Sequence, residues 1–362
     1  MNLYVHVPFC VSKCRYCAFH SETGADADSL RAFVRLLPRE IALRGAADAR
    51  PDTVYLGGGT PSILGPECLR ALLATLPSPA PGAEVSVEVN PGDVTPALAA
   101  ALRAAGATRV SVGAQSFSDR ALAWLGRRHD AARVRAAFAA LRAAGIPSLS
   151  LDLIAALPGA PSGEFAASLR EAIALGPDHV SVYPLSVEPG TPLARAGVAP
   201  PSDDAALAAV AEAESALAAA GYARYELSNY ARPGSECRHN LAVWRGEDYL
   251  GAGPAAYSRE ELERRANAPS FADWRAALEA GHLPPAEIAR LAPDDDESER
   301  FATRVRLARW RGPDPATPSG RRRAAALAGL ERNGLAAPLG GGDWTLTARG
   351  REVADSVMAE LA

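Results

Sequence analysis

Three of the five cysteines in this 362-residue chain lie close together near its start. Cys10, Cys14 and Cys17 follow an apolar, β-rich run that ends at Pro8. Thiolates are soft ligands, so three of them on one short loop suit zinc or an iron–sulfur cluster better than a hard cation. We therefore expect a metal centre at the carboxyl end of the first strand.

Two other arrangements of these cysteines compete with a cluster. His20 could complete a structural zinc site, but the chain lacks the second cysteine pair that such sites often have. A disulfide would use two of the cysteines and leave the third unpaired. The sequence also shows no secretory context. Three thiolates on a [4Fe–4S] cubane leave one iron open, which is what a catalytic site needs. The spacing thus favours a [4Fe–4S] cluster with Cys10, Cys14 and Cys17 as ligands.

Bulk properties argue against several classes of function. The chain has 38 Lys and Arg against 42 Asp and Glu, and its net charge of -4 gives no general attraction to nucleic acid or an anionic membrane. No run of about 18 apolar residues occurs, so no membrane span is expected. The chain starts in a strand without a signal peptide, and its free thiols suit a reducing cytoplasm. We expect Cys68 and Cys237 to be incidental, and the basic run 321–323 to be a solvated helix face.

Alternating strand and helix patterns must position the cysteine loop. Helical segments separate strand candidates that end near Pro8, Leu56, Val89, Val112, Leu153 and Val182. Six β-then-α units of this length predict an α/β fold with a parallel sheet, closed or partly closed into a barrel. A doubly wound open sheet is the alternative.

Glycine and polar residues follow the ends of these strands, where ligands bind in parallel α/β barrels. The run Gly57-Gly58-Gly59-Thr60 follows the second strand, where glycine permits close backbone approach. Glu88 and Asn90 end the third strand, Gln115 follows the fourth, and Asp152 ends the fifth. Each residue alone is also typical of a turn, a cap or a solvated charge, but five such strand ends in a row indicate a binding site.

The stretch from Tyr4 to Cys10, followed by Cys14-Arg15-Tyr16-Cys17, resembles the opening of radical S-adenosylmethionine (SAM) proteins related to oxygen-independent coproporphyrinogen III oxidase. In that family the open iron binds S-adenosylmethionine, and one-electron reduction cleaves it to a 5′-deoxyadenosyl radical. The resemblance implies a partial (β/α)6 barrel and an electron donor such as flavodoxin or ferredoxin.

The resemblance also implies which residues hold S-adenosylmethionine. They are Tyr4 before the loop, Phe19 after the third cysteine, Gly59 and Thr60 beside the methionine amino group, Glu88 at the ribose, Gln115 and Arg127 near the methionine carboxylate, and Asp152 and Ile154 on the adenosine side. The neighbouring Arg128 and His129 are equally typical of a basic helix end and of a ligand contact.

The second half of the chain resembles one branch of this family, the heme chaperone HemW branch, in the run 228–231 and in His239-Asn240 with Trp244. In addition, only three residues precede Tyr4, and the chain has Phe19 where the oxidases have a fourth cysteine. This branch implies heme or porphyrin as cargo and a heme-acceptor protein as partner. The residues expected to contact heme are His239, Asn240, Trp244 and Tyr257.

Two positions depart from the branch. Val243 stands where the branch usually has tyrosine, and Tyr257 stands where it usually has histidine before a serine. A phenolate can ligate ferric heme iron. The alternative functions are those of an enzyme, either an oxygen-independent coproporphyrinogen III oxidase or a related radical SAM methyltransferase.

Three regions are expected along the chain. Residues 1–200 form the radical SAM core barrel, residues 201–285 form a family-specific extension with His239 and Asn240, and residues 286–362 form a C-terminal helical domain. Amphipathic segments near 298–309 and 321–333, followed by a β-like run at Trp344, resemble a small winged-helix-like domain.

Overall fold

The computed structural model describes the whole chain, Met1–Ala362. Its strands are β1 (Asn2–Val7), β2 (Phe9–Cys10), β3 (Glu22–Thr23), β4 (Thr53–Gly58), β5 (Glu84–Val89), β6 (Arg109–Gln115), β7 (Ser148–Ala155), β8 (His179–Pro184), β9 (Ala223–Arg224), β10 (Asn229–Ala231), β11 (Tyr249–Ala252), β12 (Tyr257–Glu260), β13 (Glu263–Asn267), β14 (Ala286–Arg290), β15 (Trp310–Arg311), β16 (Ala336–Gly340) and β17 (Asp343–Leu346).

The helices are α1 (Ala27–Leu43), α2 (Gly65–Thr75), α3 (Pro96–Ala104), α4 (Asp119–Trp124), α5 (Ala131–Ala143), α6 (Glu164–Ala174), α7 (Pro192–Arg195), α8 (Asp203–Ala219), α9 (Arg238–Trp244), α10 (Phe271–Glu279), α11 (Pro293–Arg304), α12 (Pro318–Arg332), α13 (Ala348–Glu352) and α14 (Ala354–Leu361). Two short 3-10 helices, Pro61–Leu64 and Pro91–Asp93, follow β4 and β5. No helix has the length and apolar character that crossing a membrane requires.

A 12-stranded sheet runs in the order β14-β13-β12-β11-β1-β4-β5-β6-β7-β8-β10-β9. The strands from β11 to β8 pair in parallel, and the strands at both ends pair antiparallel. From β1 to β8 the order follows the sequence, without the reversal of a doubly wound sheet. The prediction of an α/β fold with a partial barrel is confirmed, and the doubly wound alternative is wrong.

The parallel strands alternate between an apolar and a polar face. In β6, Val110, Val112 and Ala114 belong to the main hydrophobic core, whereas Arg109 and Ser111 point to the opposite face. The register places the polar positions side by side: Tyr4 beside Tyr55, Tyr55 beside Ser86, Ser86 beside Arg109, Glu88 beside Ser111, and Asp152 beside Ser181. The apolar face therefore packs under the helices, and the barrel interior is polar.

Side-chain caps fix the segment that follows β6. Ser118 accepts a hydrogen bond from the Ala121 amide at the start of α4, and Asp130 accepts one from the Arg133 amide at the start of α5. Such caps satisfy amides that the first helical turn leaves without partners. Both ends of the segment that carries Arg127 are thus anchored.

Residues 223–290 add strands at both ends of the sheet, and sequence patterns did not predict β11 beside β1. A buried carboxylate in α1 ties this region to the barrel. Glu40 accepts hydrogen bonds from the Trp274 indole (2.7 Å), the Asn267 amide (2.6 Å) and the Gly253 backbone (2.8 Å). Three donors compensate for the loss of water around a buried carboxylate.

The last part of the chain has its own small sheet, in the order β15-β17-β16. A second hydrophobic cluster fills this part, and it includes Phe301, Trp310, Leu327 and Val357. Trp244 of α9 packs against that cluster from the preceding region. The division at residues 200 and 285 and the winged-helix-like character remain predictions.

Candidate functional site

The carboxyl ends of β1 and β4 to β8 meet around a cavity of about 570 Å³. Most of the residues expected from the sequence line it. They are Cys10, Cys14, Cys17, Phe19, Gly59, Thr60, Glu88, Gln115, Arg127, Asp152, Ile154 and Asn240. Tyr4, His239, Trp244 and Tyr257 are not part of its wall.

The cysteine loop is held against the glycine run after β4. The Gly59 amide donates to the Val7 carbonyl, and the Thr60 amide donates to the Phe9 carbonyl, both over 2.8 Å. The Thr60 hydroxyl also lies 3.2 Å from the Cys10 sulfur. These contacts fix the first cysteine relative to the sheet.

This close approach requires glycine. A Cβ atom on Gly59 would lie 2.5 Å from the Phe9 carbonyl oxygen and 2.7 Å from that of Val7, which is closer than real Cβ contacts. Gly58 has a φ of 97°, and a Cβ there would lie 2.6 Å from the His6 ring. The glycines therefore make room for the backbone that carries the cysteines.

A single metal ion does not fit the three cysteines and His20. No three His, Cys, Asp or Glu side chains converge on one point as the ligands of one ion must. His20 does not line the cavity, and its ring lies beside His6 at 6.4 Å. In a cubane cluster each thiolate binds a different iron, so the ligands need only surround a larger volume. The donor set therefore fits a [4Fe–4S] cluster better than zinc.

Arg127 links the cysteine loop to β6. One guanidinium nitrogen, Nη1, donates to the Cys14 sulfur (3.3 Å) and the Tyr16 hydroxyl (3.4 Å), and Nη2 donates to the Gly113 carbonyl (2.6 Å). The remaining donor, Nε, is buried and has no partner. A buried donor without a partner is costly, so this side of Arg127 fits an anionic ligand group such as a carboxylate.

An irregularity in β6 shapes the same wall. The pairing with β7 shifts between Val112 and Gln115, and Gln115 has a φ of 66°. A residue other than glycine rarely adopts this left-handed conformation, and such strain is common at functional sites. The shift lets the Gly113 carbonyl meet Arg127 and directs Gln115 to the cavity.

Two half-buried carboxylates form the inner wall. Tyr55 donates its hydroxyl to Glu88 over 2.7 Å, and Ser111 donates to both oxygens of Asp152, over 3.1 and 3.2 Å. Burial raises the pKa of Glu88 to about 7 and also raises the pKa of Asp152. Oxygens bonded to neutral donors keep lone pairs free, so this wall fits the hydroxyls of a ribose.

The outer wall is apolar. Ile154 packs with Leu125, Leu185 and Leu193 in a small cluster beneath the cavity. Phe19, just after the third cysteine, is 70% exposed at the mouth. A flat apolar surface of this kind suits an adenine ring.

The structure separates Arg128 from His129. Arg128 lines the cavity and is exposed, whereas His129 is buried behind it. The two ring nitrogens of His129 lie 3.1 Å from Asn90 Oδ1 and 3.3 Å from the Ala114 carbonyl. Of this pair only Arg128 lies at the cavity wall.

His239 lies at the opposite end of the barrel from the cysteines. Its side chain is only 4% exposed, its Nδ1 lies 2.8 Å from the Thr53 hydroxyl, and its ring stacks on Tyr55 with the centroids 5.1 Å apart. The Thr53 hydroxyl donates its proton to the side-chain oxygen of Asn2, so the His239 ring is the donor in the hydrogen bond with Thr53. Burial lowers the pKa of His239 to about 4. This placement does not support the expected heme contact, because the ring already has polar and stacking partners inside the fold.

The other residues expected to contact heme do not form one surface. Asn240 lines the cavity from below, the Trp244 ring packs under Arg306 at 4.3 Å, and Tyr257 is 64% exposed on β12. Tyr4, expected near S-adenosylmethionine, instead places its hydroxyl 3.1 Å from His6 inside the barrel.

Sequence reasoning missed several cavity residues that come before the strand ends. Tyr55, Arg109, Ser111, Ser181 and Tyr183 all line the cavity. Every second residue of β6 from Arg109 to Gln115 is polar or glycine, and this alternation was the available signal. It indicates a polar interior that extends well below the strand ends.

Comparisons with known proteins agree with this geometry. Residues 4–172 match the family model described as the Radical SAM superfamily. The chain is 39% identical over 371 residues to the heme chaperone HemW of Mycobacterium tuberculosis, covering 99% of this chain and 94% of that protein. It is 38% identical to the heme chaperone HemW of Escherichia coli, covering 72% and 70%. The solved structure of coproporphyrinogen III oxidase (HemN) from Escherichia coli shares the fold, with a TM-score of 0.83 and 24% identity, covering 99% of this chain and 89% of that one.

Proposed function

Since the chain belongs to the heme chaperone HemW family of radical SAM proteins, we propose that it binds a [4Fe–4S] cluster, S-adenosylmethionine and heme, and passes heme to an acceptor protein. The observation that carries the proposal is the 39% identity to the Mycobacterium tuberculosis relative across 94% of that protein. An electron donor such as flavodoxin or ferredoxin is the further partner. The proposed compartment is the cytoplasm, whose reducing conditions suit the free thiols.

The residues around the cavity offer a suitable partner for each part of the two groups. Cys10, Cys14 and Cys17 would hold the cluster, and the cluster would in turn bind the methionine part of S-adenosylmethionine. Arg127 has a free buried donor for the carboxylate. The other residues proposed for this cofactor are Gly59, Thr60 and Gln115 on the methionine side, Glu88 and Asp152 at the ribose, and Phe19 and Ile154 at the adenine.

Tyr257 is our candidate for the heme iron ligand. Its side chain is 64% exposed, whereas His239 is buried and already hydrogen-bonded. A phenolate oxygen is a known ligand of ferric heme iron. Tyr183 is the other largely exposed tyrosine, so it provides the matched control. In ferric heme titrations, Tyr257→Phe should change the Soret and charge-transfer bands, and Tyr183→Phe should leave them unchanged. The opposite result would place the ligand in the cavity.

One experiment tests the chaperone function against the oxidase. The chain is reconstituted anaerobically, iron and sulfide are counted, and heme is titrated. Coproporphyrinogen III is then assayed for decarboxylated product together with 5′-deoxyadenosine. Stoichiometric heme binding, transfer of that heme to apomyoglobin and no decarboxylated product support the proposal. Turnover of coproporphyrinogen III contradicts it.

A matched pair of cysteine variants tests the cluster ligands. Cys14→Ser should lose the cubane in iron and sulfide counts. Cys68→Ser should retain it, because Cys68 packs against the hydrophobic core away from the cavity. A full cubane in Cys14→Ser would refute the assignment.

A further inference from the structure

Arg109 is a buried arginine without a direct partner. Arg109 begins β6 and lines the inner end of the cavity. The residue is only 3% exposed. Its Nε is buried and unbonded, and no carboxylate oxygen lies within salt-bridge distance of the guanidinium. Because arginine stays protonated at any physiological pH, this position holds a permanent positive charge.

The same cavity wall holds two negative groups that have no cation in contact with them. Glu88 is bonded to the Tyr55 hydroxyl and Asp152 to the Ser111 hydroxyl, so both have only neutral donors. Glu88 is the register neighbour of Ser111, which lies two residues beyond Arg109 on the same face of β6. The three groups therefore share the interior of one cavity.

Burial and Arg109 act on the two carboxylates in opposite directions. Burial favours the protonated form of each carboxyl, and the Arg109 charge favours the ionised form. A charge inside a barrel acts over several ångströms, because the interior screens it less than water does. A direct salt bridge would have the same effect but would occupy the carboxylate oxygens. The arrangement seen here leaves those oxygens free.

We propose that Arg109 is a positioning residue whose unpaired charge favours the ionised forms of Glu88 and Asp152 over the protonated forms that burial favours, so that both can accept hydrogen bonds from the ribose hydroxyls of a bound nucleoside. The inference rests on the proposed function, since S-adenosylmethionine supplies that ribose. A protonated carboxyl would offer its own proton and one acceptor fewer.

Other titratable groups surround this charge and must be considered in any pH experiment. The groups that interact with Arg109 or with the two carboxylates are Tyr4, Tyr55, Glu84, Arg127, His179, Tyr183, Tyr225, Cys237 and His239. Burial raises the pKa values of Tyr4, Tyr55 and Tyr225 and of the Cys237 thiol, and it lowers those of His179 and His239. These tyrosines, the thiol and the two histidines therefore stay neutral between about pH 5 and pH 9.

The first test needs no cofactor. Infrared spectra of the full chain are recorded from pH 5 to pH 9, and the band of protonated carboxyl groups is followed. Glu88→Gln and Asp152→Asn assign the contributions of the two groups. In Arg109→Met the band should persist to a pH about one unit higher than in the wild type, whereas Arg109→Lys should titrate close to the wild type because it keeps the charge.

The variants also separate charge from structure. If Arg109→Met does not accumulate as folded protein, Arg109→Gln replaces it, because glutamine keeps hydrogen-bonding capacity without the charge. An unchanged carboxyl titration in a folded neutral variant would overturn the inference. So would an Arg109→Lys variant that titrates like the neutral one, since that result would assign the role to the guanidinium shape.

The second test measures S-adenosylmethionine affinity by calorimetry over the same pH range. The pH midpoint for binding should move upward in Arg109→Met, giving about fivefold weaker binding at pH 7 and nearly normal binding at pH 9. If the wild type binds S-adenosylmethionine and the pH profile of Arg109→Met is not shifted, the inference about Arg109 is overturned, but the proposed function is not. Absence of wild-type binding contradicts the proposed function and the ribose role together, and the infrared result still decides whether Arg109 controls the carboxylates.

Discussion

The guanidinium of Arg127 donates to the sulfur of Cys14 over 3.3 Å, which connects the loop after β1 to the segment after β6. The same side chain donates to the Gly113 carbonyl and keeps its Nε free. Arg127 thus contacts the cysteine loop and lines the cavity at the same time.

Replacing Arg127 should weaken cofactor binding selectively. A charge-assisted hydrogen bond contributes about 1.5–3 kcal/mol, so Arg127→Met should bind S-adenosylmethionine roughly 10- to 100-fold more weakly. Arg128→Met is the control, since Arg128 is exposed at the mouth and is not expected to hold the carboxylate. Calorimetry on reconstituted protein measures both affinities. Equal losses in the two variants would contradict the assignment.

Glu88 should make stability depend on pH in a defined direction. Its pKa is raised from 4.5 to about 7, so between these values the native state holds a proton that the unfolded chain has lost. The free energy of unfolding therefore falls as pH rises from about 4.5 to about 7, and then levels off. The full contribution is about 3 kcal/mol.

Comparison with Glu88→Gln isolates this effect. Glutamine does not titrate, so the variant should gain stability relative to the wild type between pH 5 and pH 8, by about 1–3 kcal/mol. Urea unfolding of the cofactor-free chain at several pH values provides the measurement. Parallel pH profiles for the two proteins would show that Glu88 does not carry the raised pKa.

Gly59 should not tolerate a methyl group. In Gly59→Ala the new Cβ meets two backbone carbonyls at 2.5 and 2.7 Å, so the cysteine loop must move away from β4. We expect a loss of about 2 kcal/mol or more and incomplete cluster assembly. Gly329→Ala is the matched control, because its nearest neighbour would be a flexible arginine end at 3.8 Å and alanine favours a helix. Thermal unfolding and iron counts that do not distinguish the two variants would contradict the prediction.

His239 should contribute to stability and not to heme binding. His239→Phe keeps the stacking on Tyr55 but loses the hydrogen bond to Thr53, which should cost about 1 kcal/mol. The heme stoichiometry of the folded variant should match the wild type. Loss of heme binding with unchanged stability would instead assign His239 to the heme site.

The sequence predicted the strands and the residues at their carboxyl ends better than the residues deeper inside the barrel. Six strands and the residues at their carboxyl ends were found because each strand is a local run of apolar residues closed by a turn. The cluster loop was found because three cysteines at close spacing have few other uses. These signals lie within short stretches of sequence, so they can be recognised without knowledge of the fold.

The deeper residues were missed because their role depends on register. The role of Arg109 follows from its position in the sheet, between Ser86 of β5 and Ser148 of β7. His239 was expected near heme from a motif, but Thr53 and Tyr55, far away in sequence, determine its burial. Pairings between distant segments cannot be read from the spacing within either one.

The position of β1 between β4 and β11 has a consequence for how the protein matures. Residues Asn2–Val5 pair with Tyr249–Ala252, so the strand that leads into the cysteine loop keeps one open edge until most of the chain has left the ribosome. Pairing over such a separation is slow compared with local contacts. We therefore expect iron and sulfide to be delivered to a nearly finished polypeptide, and a nascent chain that stops before Tyr249 should remain without a cluster.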